Sequence, residues 1–144
     1  MLDEAEYDRW ARMAGATLAS AEGDRDRGDY NWACFKAQQA AEMALKALAR
    51  GAAIPVYGHS VSRLMAVLEE RGLRPGEDVR ECAFLLDKYY IPTRYPNAWP
   101  EGSPHEYYTR READEAIRCA RLLIEWVSQT WRSLERGEST GREL

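Results

Sequence analysis

At 144 residues the chain fits one domain and is long enough to bury a core without disulfide or metal staples. A net charge of -4 leaves no general basic footprint, so any nucleic-acid contact has to come from a local group of arginines. The opening MLDEAEYDRW is acidic where a secretory leader is basic and then apolar, and no apolar run reaches the roughly 18 residues of a membrane span, so the sequence predicts a cytoplasmic protein with no membrane contact.

The first predicted helix, roughly 3–27, sets Tyr7, Trp10, Ala14, Leu18 and Ala21 at three- and four-residue steps, with Asp3, Glu4 and Glu6 at the end where the helix dipole favours anions. Gly28 stops it and Asp29 starts a second helix over 30–50, whose stripe runs Cys34, Gln38, Ala41, Leu45 and Leu48. The short connection predicts an antiparallel hairpin, and Ala37, Ala41 and Ala44 make the second helix narrow enough to be the central one. After the linker GAAIPVYGH, Ser60 caps a third helix carrying Val61, Leu64, Met65 and Leu68, which ends at Gly72. A fourth follows Pro75 and Gly76, with Val79, Ala83, Leu86 and Tyr90 inward.

The stretch YYIPTRYPNAWPEGSPHEYY, 89–108, then interrupts the helices. Pro92, Pro96, Pro100 and Pro104 each fix φ, remove a donor and push the preceding residue out of the α region, so the segment reads as a loop. Six aromatic residues within it argue against disorder and for a function. The fifth helix opens with the capping-box pattern Thr109-Arg-Arg-Glu112 and runs through Ala113, Ala116, Ala120, Ile124, Val127 and Trp131. No period-two pattern of useful length appears. The expected fold is all-α, an antiparallel up-and-down bundle of four or five helices over 1–136 with a frayed tail at 137–144.

The three cysteines, Cys34, Cys82 and Cys119, are odd in number and show neither C-x-x-C nor histidine spacing. They predict buried, reduced thiols, with neither a zinc site nor a disulfide framework, and no metal or cofactor is expected. Gln38 sits in an apolar stripe and needs a partner; it either bonds a loop carbonyl or His59 in the core, or lines a ligand cleft. Glu42 and Lys46, four apart in the favourable order, read as an exposed helix pair. His59 either supports the entry of the third helix or faces a cleft beside Gln38. Arg94, framed by prolines, presents a fork suited to phosphate or carboxylate, or else ties down helix-end carbonyls. Tyr95 and Trp99 either stack a base or cap the end of the bundle. With Tyr90, these residues make the candidate ligand set.

Two runs, NWACFKAQQAAEMALKALARGAAIPVYGHSVSRLM and YYIPTRYPNAWPEGSPHEYYTRREADEAIRCARLLIEWV, together resemble the HEPN family over about residues 5–130. The alanine-rich helix, the later His-Ser before a short helix and the Pro-Thr-Arg-Tyr-Pro loop carry the likeness. The resemblance implies a helical bundle that dimerises and binds nucleotide or RNA. It also implies pairing with a minimal nucleotidyltransferase in a toxin–antitoxin-like system. Ribonucleases of that family share an Arg-x4–6-His motif at the dimer cleft. Here eight residues separate Arg50 from His59 and ten separate Arg94 from His105, so the spacing is absent, although His105-Glu-Tyr107 echoes the His-x-Tyr ending of some toxin members. Three readings follow. The favoured one is a binding and interaction module; the others are a metal-independent endoribonuclease using Arg94 with His105 or His59, and a helical dimer with a vestigial cleft.

Overall fold

The computed structural model describes residues 1–137, so the tail expected at 137–144 lies outside the described residues from 138 onward. Five helices follow one another: α1 (Glu4–Arg27), α2 (Tyr30–Gly51), α3 (Val61–Glu70), α4 (Glu77–Asp87) and α5 (Arg110–Glu135). Among the described residues there is no strand, and no helix is long and apolar enough to cross a membrane.

Local chemistry sets the boundaries. Asp3 accepts the Glu6 amide at 3.1 Å to cap α1, and Gly28, at φ 86°, turns the chain out of it through a left-handed conformation that favours glycine. Ser60 caps α3 through the Arg63 amide at 3.2 Å. Thr109 and Glu112 close the expected capping box on α5, with reciprocal bonds of 3.2 and 3.0 Å.

The second helix is the axis of the bundle. It packs on α1 and α5 along its length and touches α3 and α4, and its alanines 33, 37, 40, 41, 44, 47 and 49 are all buried. Small side chains let neighbouring backbones approach, and Leu45, Leu48, Leu64, Leu68, Leu86, Ile117 and Leu123 fill the space between. Gly51 marks the tightest contact: a Cβ there would fall 2.5 Å from the Trp131 ring, which itself stacks on Tyr7 at 4.2 Å. At that same end the Asp3 amide donates to the Gly51 carbonyl at 2.8 Å, locking the start of α1 to the end of α2.

Cys82 and Cys119 form a disulfide between α4 and α5, with Cα atoms 5.0 Å apart; Cys34 stays free and buried. This corrects the expectation of three reduced thiols. The two cysteines sit on helices that face each other, a relation that spacing along the chain does not encode.

The proline segment closes the opposite end of the bundle as an ordered loop with two single-turn 3-10 helices, Pro96–Ala98 and Pro104–Glu106. It is held from inside. Thr93 is fully buried; its hydroxyl donates to the Tyr89 carbonyl at 2.8 Å, while its own carbonyl accepts from buried Asn31 at 3.0 Å. The Trp99 indole donates to the Pro92 carbonyl at 2.7 Å and stacks on Tyr107 at 4.2 Å.

Candidate functional site

The sequence places Phe35, Gln38, Gln39, Glu42 and Lys46 along one face of α2 at helical steps, and the structure folds the segment before α3 over this face. Gln38, wholly buried, donates to the His59 carbonyl at 2.8 Å. It also approaches Glu42 at 3.3 Å, and Gln39 donates to Gln38 at 2.8 Å. Gln38 thus supports the site from beneath and does not stand on its wall.

Glu42 is the hub. Its side chain is 7% exposed, and its oxygens receive Lys46 at 2.9 Å and His59 Nδ1 at 3.1 Å. The exposed Glu42–Lys46 pair expected from the spacing is therefore a part-buried one, with Glu42 inside and Lys46 at its margin. An i,i+4 relation puts the two on one face but does not reveal what covers that face, and here it is the His59 segment.

His59 projects from the network with its side chain 56% exposed, its ring stacked on Tyr90 at 4.9 Å. Arg94 reaches the same Tyr90 ring at 4.7 Å, and lies over Phe35 at 4.2 Å and Tyr95 at 5.0 Å. Its Nε donates to the Tyr90 carbonyl at 2.9 Å, which fixes the guanidinium plane. Among the described residues no carboxylate forms an ion pair with Arg94. The guanidinium is thus half-buried among three aromatic rings, with no carboxylate partner among the described residues.

Beside these groups lies an open cleft of about 360 Å³ walled by His59, Lys88, Tyr90, Ile91 and Pro92, with Ser60 and Asp87 at its edge. Asp87 is committed to the start of α3, accepting the Val61 amide at 2.6 Å and the Ser60 hydroxyl at 3.0 Å. It welds the end of α4 to the entry of α3 and stiffens the wall.

Of the predicted residues, the structure gathers His59, Tyr90, Arg94 and Tyr95. It turns Trp99 to the packing of the loop itself. His105 bonds Ser103 at 3.1 Å on an exposed 3-10 turn, and no hydrogen bond or ring contact joins it to Arg94 or His59 among the described residues. Sequence reasoning missed Glu42 as the orienting carboxylate and Phe35 as a ring beneath Arg94. The signal for both was the second, polar stripe of α2. Among the described residues, no group of three or more His, Cys, Asp and Glu side chains is placed to hold a metal ion.

Similar solved structures share this architecture. The protein TT1696 from Thermus thermophilus is 45% identical with a TM-score of 0.83, over 86% of this chain and 97% of that one. ST0689, an archaeal HEPN homologue, is 41% identical with a TM-score of 0.73, over 85% and 95%. A HEPN domain protein from Thermotoga maritima is 32% identical with a TM-score of 0.69, over 86% and 98%. No curated protein matches the chain. The model of the HEPN domain matches residues 7–131, nearly the whole bundle, and the chain belongs to the HEPN domain family.

Proposed function

We propose that this protein is a nucleotide- or RNA-binding module in which Arg94 grips a phosphate and Tyr95 offers a face to the adjoining base or sugar. The carrying observation is the Arg94 guanidinium, boxed by Phe35, Tyr90 and Tyr95 with no internal anion among the described residues. Membership of the HEPN family supports the same reading. Anchoring of the loop by Thr93 and Asn31 lowers the entropy lost on binding.

Replacing Arg94 with Ala is expected to weaken binding of an oligoribonucleotide by about 1.5–3 kcal/mol, as for a lost charge-assisted bond. Arg94→Lys recovers only part of this, because a point charge lacks the planar fork. Calorimetric titration of the three proteins at one salt concentration checks it; equal affinities would make Arg94 a strut of the loop.

The proposal extends to assembly. Trp32, Tyr57, Phe84, Ile91 and Tyr95 are exposed, and with HEPN-family membership they are offered as contacts of a homodimer; docking of a minimal nucleotidyltransferase in a toxin–antitoxin-like pair rests on the family likeness alone. Light scattering at micromolar concentration should return twice the chain mass; a monomer would count against the assembly. A second reading, metal-independent endoribonuclease, is favoured by one observation: His59, held by buried Glu42, shares the Tyr90 ring with Arg94. His105, bonded to Ser103, gives that reading no support.

A further inference from the structure

The Cys82–Cys119 disulfide lies beneath a second open cleft, of about 340 Å³, between α4 and α5, and both cysteines line it. The two residues are otherwise covered, at 3% and 1% exposure, so this cleft is the side from which a small molecule comes nearest to the sulfurs. One cation makes the sulfurs unequal. Arg118, at an exposed position of α5, donates from Nη2 to Cys119 Sγ at 3.8 Å. Among the described residues no carboxylate forms an ion pair with Arg118. The carboxylates on the same cleft, Asp78, Glu81 and Glu115, belong to exposed residues and are screened by water. In disulfide exchange a thiolate attacks one sulfur and expels the other, and the sulfur that better holds negative charge leaves faster. A guanidinium beside a sulfur stabilises its thiolate. Cys119 is therefore the leaving sulfur, and Cys82 the one attacked.

We propose that Cys82–Cys119 is a thiol-exchange site of fixed direction, at which a small monothiol adds to Cys82 and Cys119 departs. The incoming thiolate forms a bond to Cys82 Sγ as the Cys82–Cys119 bond breaks, and the electron pair of the broken bond stays on Cys119 Sγ beside Arg118. One disulfide forms for each one lost, so no further oxidant or reductant enters the step. In the reverse step the Cys119 thiolate attacks Cys82 and expels the monothiol, so occupancy of Cys82 follows the supply of monothiol. The adduct and the cross-link between α4 and α5 exclude each other, and the modified chain gives up that tether. The site is separate from the Arg94 cluster and does not depend on what Arg94 binds.

The test exposes the folded protein to 2-mercaptoethanol, quenches with acid, captures the released thiol with a maleimide and maps both labels by mass spectrometry. The mercaptoethanol adduct should fall on Cys82 and the maleimide on Cys119, in preference to the reverse by a ratio on the order of fivefold, the size of one exposed charge interaction. Loss of the disulfide should keep the same rate across urea concentrations below the unfolding transition. A steep rise with urea would place the exchange in the unfolded chain and overturn the proposal. Arg118→Gln should slow the reaction by a similar factor and spread the adduct over both cysteines, whereas Arg118→Lys, which keeps the charge, should leave it on Cys82. A Gln variant that matches wild type in rate and position would remove Arg118 from the mechanism and overturn the assignment of direction. Arg118 is exposed, so these variants are expected to fold, and the mapping and urea series on the wild-type chain decide without them. An adduct chiefly on Cys119, an even split, or no adduct on the folded protein would each overturn the proposal.

Discussion

Reducing the Cys82–Cys119 disulfide is expected to lower the stability of the fold by about 3–4 kcal/mol. The bond joins residues 37 apart, and cross-linking a loop of that length removes chain entropy from the unfolded ensemble; returning that entropy favours unfolding. Both cysteines are buried in the contact between α4 and α5, so the thiols would stay adjacent in the folded state and the loss would fall mainly on the unfolded side. Guanidinium unfolding with and without reductant, and of the Cys82→Ser/Cys119→Ser double variant, should give matching losses. Alkylation of the denatured, unreduced chain should add a single label, on Cys34; three labels would mean that the bond does not form. In the folded protein Cys34 should resist the reagent, because burial, with the Glu112 charge adding to it, pushes its thiol up to about 12.

Replacing Glu42 with Ala should cost about 3–5 kcal/mol, the penalty for removing the buried partner of an ion pair. The loss strands Lys46, whose side chain is only 15% exposed, and withdraws an acceptor from Gln38, Gln39 and His59 together. Lys46→Ala should cost less, since Glu42 keeps its other donors. The double variant should lose less than the two single losses combined, by about 0.5–3 kcal/mol, because the second change removes a charge that the first left unpaired. Thermal and denaturant unfolding of the four proteins completes the cycle. Strict additivity would mean that the two charges do not interact.

The architecture was legible where one helix speaks for itself. The stripes at Tyr7, Ala14 and Ala21, at Cys34 to Leu48 and at Val61 to Leu68 predicted which faces are buried, and Thr109 and Ser60 predicted where helices begin. The loop was legible as a break, because proline chemistry is local, but its two 3-10 turns depend on bonds such as that from Trp99 to Pro92, formed across the loop. What stayed hidden were relations between elements. Cys82 meets Cys119 because α4 lies on α5, and Glu42 becomes a buried hub because the His59 segment folds over α2. The candidate site was half legible for the same reason: Arg94, Tyr95 and His59 stood out by type and setting, whereas Phe35 and Glu42 take their meaning only from what packs against them.

The anchoring of Thr93 has a consequence for any survey of sequence against binding. The residue before Arg94 never meets solvent, yet its hydroxyl and its carbonyl, through Tyr89 and Asn31, set the path of the backbone from which the guanidinium projects. Under the proposed phosphate-binding role of Arg94, variation at Thr93 or Asn31 will therefore register as altered recognition, though both residues are buried. A footprint inferred from variants that fail to bind will come out larger than the true contact, extending inward along a column of buried polar groups. Separating the two calls for pairing each binding measurement with a local probe of the loop, such as hydrogen exchange at the amides of Arg94 and Tyr95.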